Sequence, residues 1–556
     1  MTDLMRRLRH PLVAALLFFA VAYAIFLGNP NFPREDDEGL YIAIAKSMAS
    51  ENEWFKPTWF GALAFYKPPL LYWAMRVSFI PFGETLLGGR VPSLLFTLLI
   101  LFLVYRLGAS LKDPKTGLLA LFLAGTCVSS GRFARSGMLD AAWSLCLFAA
   151  MVEIAKLHKG DEKASWLVAG AALGGALLVK GPVAVPIVLA FIFFAGLFRG
   201  GWRPFFSRWS LAFAGTALGV GAIWPLSMWA KGEWETWWTF FIIRENFGKF
   251  HDLYYPLSNL YGYFLVHFLP WSFLFLASLG LLLWKKAWKE AEFSYPLAMM
   301  AAIFLVFTLP ETRLVHYSFP ALPAGALLVA AAYSRWKETP VMKGACLLTA
   351  IVLGIIGLSF IPAWMIFGNT FLFMALGLLS LAAAVQVLHP DALSSPWTGR
   401  LFLPLALAAR KLPPNALFRS AVFFGCVILL LSVFSGLWPF PFITPEGKEA
   451  IHQKGTHIVR ISPFQYSLEA EQRLPQLQSR EDVIAVLAKG ERVLINEEYL
   501  KEMKVPKKLY REIASWPILK RRIRNADLKT AYKAADSLPL AERMIVLEGI
   551  SQPGER

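Results

Sequence analysis

Apolar segments long enough to cross a bilayer recur from Leu12 to about Leu437, and short polar connections separate them. A helix needs about 20 mostly apolar residues to span the hydrocarbon core, since each residue adds about 1.5 Å. We therefore predict about thirteen transmembrane helices. Their approximate positions are 11–28, 86–105, 116–131, 137–155, 164–180, 182–198, 209–229, 258–284, 294–309, 316–334, 342–364, 370–388 and 416–437.

The composition also favours a polytopic α-helical membrane protein. Hydrophobic residues make up 56% of the 556 residues and charged residues 17%, which excludes an ordinary soluble multidomain protein. The mean hydropathy is +0.51. The four cysteines all lie in apolar segments, so we expect neither disulfides nor thiolate metal sites; they are Cys127, Cys146, Cys346 and Cys426.

Lys and Arg cluster in every second connection, so the net charge of +17 reflects membrane topology rather than nucleic-acid binding. The positive-inside rule places these clusters in the cytoplasm and the alternate connections outside. With an odd number of spans, the N-terminus is then cytoplasmic and the C-terminus is outside. We interpret the first apolar segment as a retained span, because no small-x-small cleavage site is well placed after it.

The membrane domain is predicted to cover 1–438, and two of its outer connections, 29–85 and 230–257, are long enough to have structure of their own. In the first, Leu40, Tyr41, Ile44 and Met48 share the apolar face of a helix that we expect to lie along the membrane surface. The second contains the run "EWETWWTFF", whose aromatic side chains favour the headgroup region.

The polar tail, 439–556, is predicted to be a small α/β domain outside the membrane. The segments "GTHIVRI" and "ERVLINEEYL" are typical of short strands. The segment "SREDVIAVLAKG" predicts a helix with Ser479 as its N-cap and Gly490 at its end.

Charged side chains collect on the side that the orientation rule leaves poor in cations. The cations are Arg34, Lys56, Lys67, Arg90, Arg132, Arg135, Lys180, Arg244, Lys249 and Arg313, and the acids include Asp37, Glu38, Asp140 and Glu245. Such cations would neutralise an anionic ligand, for which a phosphate is the natural candidate. A nearby carboxylate could accept a proton from an acceptor hydroxyl while the cations stabilise a leaving phosphate. This combination indicates transfer from a phosphate-linked donor.

The same residues also have structural interpretations. The acidic run at 35–38 is typical of a solvated loop or of a helix N-terminus, where the helix dipole favours negative charge. Lys67 could extend to the membrane interface while the two prolines after it begin a helix. Asp140 lies close to an apolar span, where an ionisable group indicates function, but pairing with Arg132 or Arg135 would also account for it.

Lys180 ends a span, and a cation there is favourable without any ligand. His251 and His316 could bind a divalent metal together with Glu245 or Asp37, although scattered histidines more often form ordinary hydrogen bonds. The sequence thus requires no cofactor and leaves a divalent metal ion as an alternative.

Seven motifs in one order resemble the integral-membrane glycosyltransferases of the GT-C class. They are "DEGLY", "EWFKPTWFGALAFYKPPLLYW", "GRVPSLLFTLL", "ARSGMLDAAW", "LLVKGP", "ENFGKF" and "VHYSFPALP". The likeness is greatest to the bacterial lipid A aminoarabinose transferases and their relatives among the protein O-mannosyltransferases. It covers roughly residues 10–335 well and the remainder only in outline.

The resemblance implies a polyprenyl-phosphate sugar donor and a periplasmic active site. By motif, Asp37 matches the catalytic acidic residue of that family, Lys67 the lysine that faces the lipid phosphate, and Asp140 the acidic residue of the second outer loop. Tyr66 stands where the aminoarabinose transferases carry a glutamate, which puts a metal site at this position in doubt. The form of "ENFGKF" is closer to the broader family, so the sugar need not be aminoarabinose.

Our hypothesis from the sequence is a glycosyltransferase of the bacterial inner membrane that moves a sugar from undecaprenyl phosphate to lipid A, another envelope glycan or a protein. The expected catalytic residues are Asp37 and Asp140, the expected phosphate ligands are Lys67, Arg132, Arg135 and Lys180, and the supporting residues are Glu38, Tyr66, Arg90, Glu245 and His316. Two alternatives are a non-enzymatic transporter or flippase of lipid-linked sugars and a catalytically inactive scaffold.

Overall fold

The computed structural model describes residues 10–29, 36–248, 254–388, 415–436, 442–459, 466, 472, 474–519, 527, 530 and 541–550. Its first half contains α1 (Pro11–Ala24), α2 (Asp36–Ser50), β1 (Thr58–Trp59), β2 (Ala62–Leu63), α3 (Leu70–Phe82), α4 (Leu86–Leu111), α5 (Pro114–Thr126), α6 (Val128–Ala134), α7 (Leu139–His158), α8 (Trp166–Lys180), α9 (Ala184–Arg199), a 3₁₀ turn (Arg203–Phe206), α10 (Arg208–Gly221), α11 (Ile223–Ala230), α12 (Trp234–Trp237) and a π-helix (Trp238–Phe247).

The later helices are α13 (Leu257–His267), α14 (Ser272–Trp284), a 3₁₀ turn (Ala287–Lys289), α15 (Ala291–Thr308), a 3₁₀ segment (Val315–Ala321), α16 (Leu322–Trp336), α17 (Pro340–Phe367), α18 (Thr370–Leu388) and α19 (Ala416–Gly436). The tail contains α20 (Pro445–His452), β3 (Thr456–Val459), β4 (Gln476–Leu477), α21 (Arg480–Ala488), β5 (Arg492–Asn496), α22 (Glu497–Met503), a 3₁₀ turn (Lys507–Leu509), β6 (Tyr510–Leu519) and β7 (Ala541–Gly549).

Helices occur at all thirteen predicted spans, but not all of them are long and straight. Among the described residues, seven helices are long and apolar enough to cross a membrane, or ten if each of three bent pairs is one span. The pairs are α5 with α6, α10 with α11, and α13 with α14, with bends of 70°, 43° and 110°. The chain is therefore a multi-pass membrane protein.

The other three predicted spans, α1, α8 and α9, have only 14, 15 and 16 residues, fewer than the roughly 20 that a straight helix needs to cross the hydrocarbon core. Glycines at positive φ, Gly181 (+92°) and Gly200 (+73°), end α8 and α9. This conformation stops a helix at little steric cost only when the residue is glycine.

Hydrogen bonds link the breaks in two of these bent helix pairs. The Val128 N–H, at the break between α5 and α6, donates to the Leu269 carbonyl, at the break between α13 and α14, at 3.1 Å. The Ser129 hydroxyl donates to the His267 carbonyl at 3.1 Å. Since a membrane offers no water to unpaired amides, irregular backbone persists there only when protein groups complete its hydrogen bonds.

The first outer connection folds into α2, the β1–β2 hairpin and α3. The predicted apolar face of α2 is buried, Tyr41 and Met48 included, but Ile42 and Ala45 on other faces are buried as well. A Cβ on Gly89 of α4 would lie 2.6 Å from the Ile42 side chain, so the two helices pack at close range. The structure thus encloses α2 more fully than its sequence pattern predicts.

The tail forms a five-stranded sheet in the order β4-β3-β5-β7-β6. β3 pairs in parallel with β4 and β5, while β7 pairs antiparallel with β5 and β6. The predicted helix is confirmed as α21, where Ser479 and Asp482 form a reciprocal capping box. The predicted domain boundary at 438/439 lies outside the described residues.

Candidate active site

The start of α2 is fastened by a buried ion pair between Glu38 and Arg90. The Arg90 Nε and Nη2 donate to the two Glu38 carboxylate oxygens at 2.7 and 2.8 Å, and the Gly137 N–H donates to Glu38 at 2.7 Å. A further Arg90 nitrogen donates to the Leu27 carbonyl at 2.9 Å. These two predicted supporting residues therefore join α2 to α4, to the end of the first span and to the turn before α7, and this arrangement positions the neighbouring Asp37.

Carboxylates from three separate connections meet around Tyr41 of α2. Burial raises the pKa of the Tyr41 phenol well above 10.0, and the negative charges of Asp37, Asp140 and Glu245 raise it further. A negative charge disfavours the formation of a second one nearby, so all three carboxylates oppose ionisation of the Tyr41 phenol. The fold thus brings together acidic residues that the sequence could place only on one side of the membrane.

Lys67 forms an ion pair with Glu245 of the π-helix. The Lys67 ammonium lies 3.0 Å from a Glu245 carboxylate oxygen and also donates to the Tyr66 carbonyl at 2.8 Å. The Tyr66 ring packs edge-on against Phe240, with 5.1 Å between ring centroids. The first and second outer connections therefore meet at the predicted phosphate ligand.

Lys180 and Asp140 form the second charged pair, at 3.7 Å. Asp140 lies in the first turn of α7 and Lys180 in the last turn of α8, where the helix dipoles favour an anion and a cation respectively. The ammonium also lies 4.8 Å from the Trp143 ring and 4.7 Å from the Tyr317 ring. Two aromatic faces and one carboxylate thus hold the Lys180 charge in position.

The pairing suggested for Asp140 is wrong, because Asp140 is paired with Lys180 rather than with either arginine. Arg135 instead donates to the carbonyls of Tyr23 and Ile25 at 2.8 and 2.7 Å and to the Ser435 hydroxyl at 2.8 Å. It therefore joins the end of the first span to the last one. Arg132 is exposed and lies 5.6 Å from the Phe133 ring. Phosphate binding by the two arginines stays a prediction.

A cavity of about 440 Å³ collects several of the predicted residues. Its lining is mostly apolar, with two cations and one carboxylate, and comprises Tyr66, Lys67, Lys180, Pro182, Val183, Pro186, Phe241, Glu245, Asn246, Phe247, Val306, Phe307, Leu309, Pro310, Thr312 and Tyr317. His316 is half-buried beside it, with its ring edge-on to Tyr317. Such a space suits a ligand with a negative head and an apolar chain.

The described residues do not offer a metal site. Within them, no group of three or more His, Cys, Asp and Glu side chains has the arrangement of metal ligands. His251, one of the candidate ligands, lies outside the described residues. At the position beside Lys67, Tyr66 supplies a phenol instead of a carboxylate. The residues that the structure describes therefore do not form a metal site, and no step of the proposed chemistry depends on a metal ion.

Tyr317 and Trp143, whose rings flank Lys180, are not among the site residues predicted from the sequence. Both residues lie in motifs quoted above, "VHYSFPALP" and "ARSGMLDAAW". Their signal was therefore present, but only the packing of α7 and α8 against the 3₁₀ segment before α16 brings them to one ammonium group.

Short, bent and straight apolar helices surround a cavity that Lys67 and Lys180 line, and the fold is that of the GT-C membrane proteins. The structure is similar to the crystal structure of ArnT from Cupriavidus metallidurans bound to undecaprenyl phosphate, with a TM-score of 0.66, 17% identity and coverage of 97% of this chain and 99% of that one. The apo structure of the same protein gives a TM-score of 0.65 at 17% identity, with coverage of 97% and 98%. This likeness demonstrates the fold.

Sequence comparisons agree with the fold. The family model "Dolichyl-phosphate-mannose-protein mannosyltransferase" matches residues 66–229. The chain is 29% identical over 330 residues to an undecaprenyl phosphate-α-4-amino-4-deoxy-L-arabinose arabinosyl transferase of Pseudomonas paraeruginosa. This alignment covers 56% of this chain and 58% of the relative. An undecaprenyl phosphate-α-4-amino-4-deoxy-L-arabinose arabinosyl transferase 2 of Proteus mirabilis is 26% identical over 327 residues, with the same coverage. The chain thus spans little more than half the length of these relatives, and the resemblance predicted from its motifs is confirmed.

Proposed function

We propose that this protein is a membrane glycosyltransferase that moves a sugar from a polyprenyl-phosphate carrier, undecaprenyl phosphate in a bacterium, to a hydroxyl group at the periplasmic face of the inner membrane. The acceptor is lipid A, another envelope glycan or a protein. The observation that carries the proposal is the cavity in which Lys67 and Lys180 lie among apolar walls. Relatives whose names specify polyprenyl-phosphate donors support the same chemistry.

The donor's phosphate would lie between the two lysines, and the polyprenyl chain would pass over the apolar walls into the membrane. As the acceptor oxygen bonds to the anomeric carbon, the bond from that carbon to the phosphate oxygen breaks, and polyprenyl phosphate leaves. Lys67 and Lys180 would stabilise the negative charge that grows on this leaving group. Because Asp140 and two aromatic rings already hold the Lys180 ammonium group, that group needs little reorganisation during the reaction.

Asp37 would accept the proton of the acceptor hydroxyl. It is half-buried at the start of α2, next to the fastened Glu38, and its charge reaches Tyr41 together with those of Asp140 and Glu245. Asp140 is only 1% exposed and pairs with Lys180, so its part in the proposal is to position that ammonium group. A carboxylate in a partly dry site is a suitable general base.

The test uses purified protein in detergent with undecaprenyl-phosphate sugars as donors. Release of undecaprenyl phosphate in the presence of an acceptor extract supports an enzyme, because a transporter has no membrane to act across. The Asp37→Asn variant should lose at least a hundredfold in turnover and still bind undecaprenyl phosphate. Turnover at the wild-type rate by Asp37→Asn would remove Asp37 from the mechanism. Mass spectrometry of envelope lipids and glycoproteins from a deletion strain would identify the sugar and the acceptor.

A further inference from the structure

The two cations of the cavity have acidic partners that differ in their access to a ligand. Asp140, the partner of Lys180, is 1% exposed and is not among the described residues that line the cavity. Glu245, the partner of Lys67, does line the cavity, and 13% of its side chain is exposed. An entering anion can therefore take the place of Glu245 at Lys67, whereas it cannot reach Asp140.

The π-helix keeps Glu245 in the cavity independently of Lys67. Phe241, one turn earlier, is 3% exposed and packs against Trp224 and Trp237. The Asn246 side chain donates to the Phe241 carbonyl at 2.6 Å, which fixes the end of the π-helix. π-Helical segments are rare and are frequent at functional sites. The backbone at Glu245 is therefore held beside the cavity, so its carboxylate stays within reach of a phosphate at Lys67.

We propose that Glu245 competes with lipid phosphates for Lys67 and thereby selects the singly charged donor over the more highly charged product. This inference rests on the proposed function. The phosphate of a sugar-linked carrier is a diester with one negative charge, while the product is a monoester with a charge of about −1.5 to −2 at pH 7. Since Coulomb repulsion is proportional to charge, the nearby carboxylate opposes the product more strongly than the donor.

The consequence is easier product release. Departure of the product limits the turnover of many enzymes, and a leaving group held by two lysines would otherwise dissociate slowly. As undecaprenyl phosphate leaves, Glu245 can pair again with Lys67, so the ammonium group is not left without a counter-charge in a largely apolar cavity. Glu245 thus acts as a specificity-determining residue for the charge of the lipid phosphate.

The experiment measures binding, not turnover, and compares two lipids in detergent. Undecaprenyl phosphate represents the product, and its methyl ester, a diester with one negative charge, represents the donor. In Glu245→Gln, which retains the side-chain size, undecaprenyl phosphate should bind about tenfold more tightly, and the methyl ester should gain about threefold or less. Glu245→Asp retains the charge and should keep the wild-type preference.

Glu53→Gln is the matched control, because Glu53 pairs with Lys231 at 2.8 Å between the same two outer connections and does not line the cavity. It should leave the affinities for both lipids unchanged. Weaker binding by Glu245→Gln, or an equal gain for both lipids, would overturn the inference. A wild-type protein that binds neither lipid would instead contradict the proposed function, so the two failures are distinguishable.

Discussion

Removal of the Glu38 charge is expected to destabilise this protein far more than removal of an exposed carboxylate charge. Glu38 is 0% and Arg90 3% exposed, and the pair has two hydrogen bonds of 2.7 and 2.8 Å. In Glu38→Gln, the Arg90 guanidinium stays buried but loses its counter-charge. The Gly137 N–H, which donates to Glu38 at 2.7 Å, can still bond to the glutamine oxygen. The variant therefore loses the counter-charge of Arg90, and its amide NH2 group replaces the oxygen that accepts from Arg90 Nη2.

The magnitude follows from burial. Removal of one partner from a buried ion pair costs about 3–5 kcal/mol, because an uncompensated charge is left out of water. An exposed pair contributes only about 0.2–1 kcal/mol. Glu338 provides the control, since it lies 3.1 Å from Lys343 and the two side chains are 77% and 62% exposed. Glu338→Gln should therefore change the free energy of unfolding by less than about 1 kcal/mol.

The measurement is the free energy of unfolding in mixed micelles with increasing sodium dodecyl sulfate. A second variant, Glu38→Leu with Arg90→Met, removes both charges and should recover most of the stability lost by Glu38→Gln, since no isolated charge remains. Equal effects of Glu38→Gln and Glu338→Gln would refute the reasoning. So would a double variant that is less stable than the single one.

Three further predictions concern the cavity and the tail. Lys67→Met should weaken binding of undecaprenyl phosphate about ten- to a hundredfold in a binding assay, because a charged hydrogen bond contributes about 1.5–3 kcal/mol. Lys56→Met is the control, since it breaks an ion pair of the same connection outside the cavity, and it should leave this affinity unchanged. Gly181→Ala should lower both the thermal midpoint and the lipid affinity, because the φ of this residue is +92° and a methyl group there would lie 2.6 Å from the Phe241 ring of the π-helix. Gly215→Ala is the control, since Gly215 has open space around it, and it should change neither quantity. Hydrogen bonds from two arginines lower the pKa of Glu548 below 4.5. The stability that its ionised form contributes is therefore present above pH 4.5 and is lost as the pH falls through the folded-state pKa. The thermal midpoint should fall on acidification, and it should fall less in the Glu548→Gln variant.

Much of the fold follows from patterns that are local in the sequence. Hydropathy located the thirteen predicted spans, at each of which the described residues form helices, and the predicted N-cap Ser479 located α21. These predictions succeed because a span or a cap depends on residues within one helix. The bends between α5 and α6 and between α13 and α14 were not predicted, because each break is completed by backbone groups from the other pair.

For the candidate site, the sequence by itself determined which charged residues are candidates, and it predicted from hydropathy and the distribution of Lys and Arg that they share one side of the membrane. Only the tertiary structure decided how they pair. Lys67 and Glu245 are 178 residues apart in the chain, and Arg90 and Glu38 are 52 apart. Such pairs depend on how helices and outer connections pack, and packing depends on the shapes of many side chains at once. The same packing separates Glu38, Arg90 and Arg135, which join structural elements, from Lys67 and Lys180, which line the cavity.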